Sequence, residues 1–324
     1  MKRIAALWLM VGLAVAFIAA PASWAQSKSA HVGYLGLGAD VDEKRIARMK
    51  QILAEKGWIQ GKNLVVEVRY ASGEPPQYTQ AAKELAALKL DFIFAAGTPA
   101  LRAQFAATRT IPIVTSDFSS DPLASGYADS YNRPGKNVAG VFLDAPQFAG
   151  KWLDILKGLM PRLKRVAVLW NPSAGKVHLH SIEQTAKSFG IRIQVYEVQS
   201  ITEVEKAFSS FRGKHQAVVI LPSPLVYAHS ARIAELALKD RLPAVSMPRS
   251  FAEDGGTVSY GPNRHEVDER VFNLASRILE GAKPSELPIE TPTRFDFLIN
   301  TKTAQKLGLK VPDRFLVGAE LVGK

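Results

Sequence analysis

Leu90-Asp91-Phe92-Ile93-Phe94-Ala95-Ala96-Gly97-Thr98-Pro99-Ala100 holds one complete structural step: an apolar, β-rich run, a glycine, and a helix start. The run from Leu90 to Ala95 reads as a buried strand. Thr98 then suits the N-cap of a helix and Pro99 its first turn, where a missing N–H costs nothing. A helix start leaves backbone N–H groups unpaired and carries a partial positive charge, so it attracts a carboxylate or a phosphate. Gly97 would let such a ligand approach the backbone. Gly97, Thr98, Pro99 and Ala100 are therefore candidate ligand-binding residues; the alternative is a well-capped helix and nothing more.

The same step recurs along the chain. Apolar runs at His31 to Leu35, Leu64 to Tyr70, Leu90 to Ala95, Ile111 to Thr115 and Val138 to Phe142 alternate with helical stretches. A second series follows at Arg165 to Trp170, Ile191 to Val198, Ala217 to Leu221, Leu242 to Ser246 and Thr257 to Tyr260. Alternating strands and helices make βαβ units and parallel sheets. Corresponding runs lie about 120 to 135 residues apart, a longer period than solenoid repeats have, which indicates a duplicated domain. The expected fold is α/β, with two Rossmann-like lobes, parallel sheets and a ligand cleft between them. Open parallel sheets bind ligands beyond the carboxyl ends of their strands.

That rule turns every strand end into a place to look. The first strand ends at Tyr34, before a loop of small residues in which Gly36 and Gly38 mimic a dinucleotide fingerprint; Val41 stands where its third glycine belongs. Thr115-Ser116-Asp117-Phe118-Ser119-Ser120-Asp121-Pro122 is dense in hydroxyls and carboxylates. Asp117 or Asp121 would pair with a ligand ammonium and Ser119 and Ser120 would donate hydrogen bonds, unless the stretch is an Asx-turn. In the second series the strand ends offer Asn171, Ser223, Ser246 and Tyr260, each weighed against ordinary turn formation.

The helices frame these turns. Ile46, Met49 and Leu53 give an apolar stripe over Asp42 to Lys56, ending at Gly57. Tyr78, Ala82, Leu85 and Leu88 give another after Pro75-Pro76, and Val267, Val271, Leu274 and Ile278 a third over Arg264 to Leu279. That last helix is expected to return to the first lobe. Chain crossings are placed near Leu143 to Ala145, near Gly261 to Asn263 and within Pro284 to Pro292. The first lobe is then residues 28–143 plus about 263–285, and the second 144–262 plus about 286–324.

Residues 1–25 read as a secretory signal peptide: Lys2 and Arg3, an apolar stretch from Ile4 to Ala20, and small residues at Ser23 and Ala25 before the cleavage point. An uncleaved anchor is the alternative, although the stretch barely reaches the about 20 apolar residues that a span needs. The chain has 324 residues, 47% of them hydrophobic, and no cysteine, which excludes disulfides, thiolate metal sites and a lipid-modified cysteine. Its net charge of +11 is spread over many helices rather than gathered in a basic stripe with aromatics, so nucleic-acid binding is not expected. No nucleophile elbow, phosphate loop or metalloprotease motif occurs. His178 and His180 form an H-x-H pair without a partner at ligand spacing and are expected at the surface. Neither metal, cofactor nor catalysis is expected.

The chain resembles the ABC transporter substrate-binding proteins of the tryptophan/tyrosine-type family, which have the type I periplasmic-binding fold. The resemblance rests on Leu53-Ala54-Glu55-Lys56-Gly57-Trp58-Ile59-Gln60-Gly61-Lys62-Asn63-Leu64, on Gly97-Thr98-Pro99-Ala100, on Ile111-Pro112-Ile113-Val114 with Asp121-Pro122, and on Arg165-Val166-Ala167-Val168-Leu169-Trp170-Asn171-Pro172. Ile278-Leu279-Glu280-Gly281-Ala282-Lys283-Pro284, Leu287-Pro288-Ile289-Glu290 and Asn300-Thr301-Lys302-Thr303-Ala304 extend it over nearly the whole mature chain. It implies a periplasmic, monomeric protein that captures a small solute by hinge closure and presents it to an ABC permease in the inner membrane; some relatives bind aromatic amino acids. It also implies a carboxylate site at Thr98 and its neighbouring amides, with the Asp117 to Asp121 loop as partner for the rest of an amino-acid head group. Leu221 to Pro224 has two prolines and no acidic residue, which argues against an ammonium partner there. A receptor feeding a sensor kinase or chemoreceptor would carry the same features, and a secreted enzyme would need a nucleophile and base in mutual reach, whereas the candidates hold hydroxyls and carboxylates but no histidine.

Overall fold

The computed structural model describes residues 28–323, so the expected signal peptide lies outside the described residues. The first lobe opens with β1 (Ala30–Gly36), α1 (Ala39–Glu55), β2 (Leu64–Tyr70), α2 (Pro75–Ala86), β3 (Phe92–Ala96), α3 (Thr98–Ala107), β4 (Ile113–Asp117) and β5 (Val138–Phe142). All five strands are parallel, in the order β2-β1-β3-β4-β5. Val32 on β1 sits opposite Val66 on one side and Phe92 on the other. Strands β3 and β4, and β5 at the far edge, are buried almost throughout, which is why they read as continuous apolar runs. Edge strand β2 carries Glu67 and Arg69 on a half-exposed surface, charges of the kind that blunt an open edge.

The chain crosses after Leu143 and builds the second lobe from α4 (Ala145–Leu159), β6 (Arg165–Trp170), a short 3₁₀ turn at Pro172–Ala174, α5 (Val177–Ser188), β7 (Arg192–Glu197), α6 (Ile201–Ser209), β8 (Ala217–Ile220), α7 (Pro224–Ala228), α8 (Ser230–Lys239), β9 (Ala244–Ser246), α9 (Arg249–Glu253) and β10 (Val258–Pro262). It then returns as α10 (Arg264–Leu279), which lays Val267, Val271, Leu274 and Ile278 into the first-lobe core beside Met49 and Phe94. After a 3₁₀ turn at Pro284–Glu286 it crosses a third time into β11 (Phe295–Asn300), α11 (Thr301–Lys306), α12 (Asp313–Gly318) and β12 (Glu320–Val322).

The second sheet has seven strands in the order β12-β11-β10-β9-β8-β6-β7. Its strands β6 to β10 are parallel, but β11 runs antiparallel to β10, an addition that the repeat pattern does not carry. The reason is topological: the chain leaves the sheet at the end of β10, spends α10 on the other lobe, and re-enters beside β10 from the same end. The third crossing also falls later than the expected boundary. Leu287 and Ile289 pack in first-lobe cores, and Glu290 bridges to Val141 on β5, so the chain stays with the first lobe to Glu290.

Where the crossings meet, Asn263 N–H donates to the Arg294 carbonyl at 2.9 Å, tying the second crossing to the third. Glu266, in the first turn of α10, accepts from the Thr293 hydroxyl at 2.7 Å and from the Arg294 N–H at 3.0 Å. Three stacked or tilted rings, Phe148, Tyr260 and Phe295, fill the second-lobe side of this junction.

Candidate functional site

The carboxyl ends of both sheets open onto one cavity of about 550 Å³ between the lobes. From the first lobe it is lined by the α1 start (Leu37 to Arg45), by Tyr78, by Ala96 to Pro99, and by Ser116, Phe118 and Ser119. The second lobe contributes Ala174, Pro222 to Pro224, Tyr227 and Met247 to Ser250, and the crossings add Pro262, Arg264 and Asp296.

The turn at Gly97 is built as a receptor for an approaching group, though not quite as the sequence predicts. Gly97, not Thr98, is the N-cap of α3, and Pro99 is its second residue. Gly97 has φ +84°, a conformation that side chains rarely adopt, and the space where its Cβ would lie is open. Thr98 does not cap the helix. Its hydroxyl instead donates to Asp117 Oδ1 at 2.5 Å. The backbone end of α3 therefore faces the cavity without a side-chain cap, while Ala100, fully buried, packs in the core and does not line the cavity.

Several other expected site residues are placed as supports. Asp117 is fully buried; its carboxyl lies above the ordinary range because of burial, an effect opposed by hydrogen bonds from Ser120, Thr98 and Ser119. On β4 the side chains alternate, so Ser116 and Phe118 face the cleft and Asp117 faces inward. Ser120 goes with Asp117, and Asp121 spends its carboxylate on the N–H groups of Leu123 and Ala124, the Asx-turn alternative. Tyr34 is buried against Phe94 and donates to Asp42 Oδ1 at 2.7 Å. Asn171 accepts from Ser173, Ser246 donates to the Ile220 carbonyl at 3.0 Å, and Tyr260 belongs to the aromatic junction. None of these seven lines the cavity. Ser223 does: it caps α7 by accepting from Val226 N–H and stands in the cavity wall.

The charged wall of the site was not read from the sequence. Asp42 folds back over the end of β1, where it accepts from Leu37 N–H at 2.6 Å and Gly38 N–H at 3.1 Å as well as from Tyr34. A side chain at Gly36 would collide with that carboxylate. Arg45 forms a buried ion pair with Asp268 of α10 at 2.8 Å, donates to Ser116 Oγ at 2.7 Å and lies 4.6 Å from the Phe94 ring centre. Arg249 pairs with Glu253 and Glu320. A legible signal existed for Arg45 and Asp268: each sits on the apolar stripe of its helix, one beside Met49 and the other beside Val271, where an unmatched charge has no place.

His178, expected at the surface, is instead buried in α5 with its ring 5.4 Å from that of Trp152, while His180 points outward to Gln184. Two positions apart on a helix, they face different ways. Among the described residues no group of three or more His, Asp or Glu side chains is placed to hold a metal ion.

Two α/β lobes joined by three crossings, with a cavity at the carboxyl ends of both sheets, define the type I periplasmic-binding class, a class of ligand receptors rather than enzymes. Within it the chain belongs to the ABC transporter substrate binding protein family, whose model matches residues 40–322. It is 25% identical over 262 residues to the tyrosine-binding protein of Clostridioides difficile (strain R20291), covering 80% of this chain and 74% of that protein. The fold matches the structure of a conserved domain protein from Vibrio cholerae with a TM-score of 0.84 at 24% identity, over 91% of this chain and all of the other. It matches an ABC domain in complex with L-Trp from Streptococcus pneumonia with a TM-score of 0.82 at 21% identity, over the same shares.

Proposed function

We propose that this protein is the periplasmic solute-binding component of an ABC uptake transporter and that its solute is a small molecule bearing a carboxylate, with aromatic or branched amino acids as the first class to test. The observation that carries the reading is the uncapped end of α3 in the cavity wall. Gly97 leaves room there for an oxygen, Thr98 has its hydroxyl turned away, and the first-turn N–H groups of Thr98 and Ala100, which have no partner within the helix, have a carboxylate as their natural partner. Tyr78, Phe118, Tyr227 and Met247 add an apolar wall suited to a ring or branched chain.

On this reading, residues 1–25 direct export and are removed, and the solute touches both lobes. It thereby stabilises the closed state by the contacts made only there, and a permease reads that shape. The name of the tyrosine-binding relative supports the ligand class.

The test is a thermal-shift screen of protein unfolded and refolded to strip bound compounds, run against amino acids, other carboxylates, sugars and purines. Ligand at a hundred times its dissociation constant adds about 2.7 kcal/mol to stability. A shift with carboxylate-bearing solutes is expected; a shift with sugars or purines alone sinks the proposed class.

A further inference from the structure

Arg264 is the first residue of α10 and lines the cavity, one residue past the tie between two crossings. Helix physics does not ask for it there. An arginine at a helix N-terminus opposes the positive end of the macrodipole, and the helix already has Asn263 as a cap and Glu266 in its first turn. Nor does Arg264 make a hydrogen bond or ion pair with any of the described residues, whereas Arg45 and Arg249 on the same cavity wall are both paired. The acids around it are already committed. Asp268 holds Arg45, Asp42 holds Tyr34 and two backbone N–H groups, and Asp296 holds the Asn263 side chain.

Arg264 as a whole stays open to solvent; desolvation by the cavity walls works against its charge, but Tyr227, Asp268, Tyr34 and Asp42 together outweigh it. Its one partner across the cleft is the ring of Tyr227 on α7, whose centre lies 6.0 Å from the guanidinium carbon. Arg264 thus belongs to a first-lobe helix and faces a second-lobe aromatic ring. An anion seated against it is covered by Tyr227 only when the lobes approach, which makes the contact specific to the closed state.

We propose that Arg264 is the charge-matching anchor of the cleft. The planar guanidinium takes the carboxylate of the solute by charge-assisted hydrogen bonds, Tyr227 covers the pair from the facing lobe, and the α3 end orients the same solute. This assignment rests on the carboxylate reading above and adds the residue that supplies the full charge.

The experiment compares wild type, Arg264→Ala, Arg264→Lys and Arg45→Ala as full-length mature chains. Titration calorimetry and thermal shift at pH 7.5 use L-tyrosine, L-tryptophan and L-leucine beside the matching amines that lack the carboxylate: tyramine, tryptamine and isopentylamine. Wild type is expected to bind at least one acid and not its amine. Arg264→Ala should bind that acid about ten- to a hundredfold more weakly, the range for a hydrogen bond to a charged group, and Arg264→Lys should recover part of the loss. The ligand-free melting temperature of Arg264→Ala should stay close to that of wild type, because the removed cation gives up only the Tyr227 ring and the pull of acids that are already paired; Arg45→Ala should melt well below it. Equal acid binding by wild type and Arg264→Ala overturns the assignment while leaving the carboxylate reading intact. So does a fall in the ligand-free melting temperature of Arg264→Ala as large as that of Arg45→Ala. A wild type that answers none of the acids overturns the carboxylate reading itself, and the assignment with it.

Discussion

Thr98 gives its hydroxyl to Asp117 and leaves its own helix uncapped. The bond joins the start of α3 to the end of β4, the two elements that carry the Gly97 turn and the Ser116 to Ser119 wall of the cleft. Removing the hydroxyl leaves a fully buried carboxylate one donor short. Thr98→Ala is therefore expected to cost about 1 to 3 kcal/mol in urea denaturation, and Thr98→Ser to restore most of it. Equal stability of wild type and the alanine variant would show that the bond does not hold the two elements.

Arg45 and Asp268 form the ion pair that fastens α10 to α1, with both side chains almost wholly buried. Losing one partner strands the other charge in the core. Arg45→Ala or Asp268→Ala should lower stability by about 3 to 5 kcal/mol, whereas replacing both with well-fitting apolar residues should cost far less. Chemical denaturation of the single and double variants gives the coupling; additive losses would contradict it.

How far the sequence could be read follows from where each kind of information resides. The parallel strands were legible because buried strands such as β8, Ala217–Ile220, are written as unbroken apolar runs. Strand β11 escaped because it belongs to no repeat and is placed by the return of α10. The Gly97 turn was legible as a locus, yet its hydrogen bonding was not: whether Thr98 caps its helix or reaches Asp117, 19 residues on, depends on how two neighbouring strands bring them together. Asp121 and Asn171 drew interest as polar groups at strand ends, but local backbone N–H groups claim them first. Arg264 was passed over because a charge at the start of a helix looks like solvated surface until the helix is seen to cross the cleft.

Glu266 clamps the third crossing to α10. Despite burial, which works the other way, hydrogen bonds from Thr293, Arg270 and Arg294 pull its carboxyl down to about 2. A depressed carboxylate adds stability above its free value of 4.5, and the contribution fades as the pH falls from there toward 2. Glu266→Ala should speed hydrogen exchange at the Thr293 and Arg294 amides, which lose their acceptor, and leave the central strands protected. Unchanged exchange at both amides would mean that the Asn263 to Arg294 bond alone holds the crossing.

His178 gives the fold a second loss of stability in acid, one that sets in at a higher pH. Burial beside Trp152 holds its imidazole at about 4 against 6.5 in the free side chain, with the Phe118 backbone pulling weakly upward. A depressed histidine is neutral in both folded and unfolded chains above pH 6.5, so it adds no pH dependence there. Below 6.5 the unfolded chain takes up a proton that the folded one refuses, and stability drains away until the pH reaches about 4. The full loss is about 3 kcal/mol, the free energy of a shift of that size. His178→Gln cannot take up the proton, so its melting temperature should fall less steeply between pH 6.5 and 4 than that of wild type. Phe118 comes from the first lobe and His178 from the second, so protonation of the folded imidazole, near pH 4, acts on the contact between lobes. Solute affinity, a property of the folded chain, should hold steady from pH 6.5 downward and weaken only as the pH approaches 4 in wild type, and not there in the variant; parallel pH profiles for the two proteins would remove His178 from both effects.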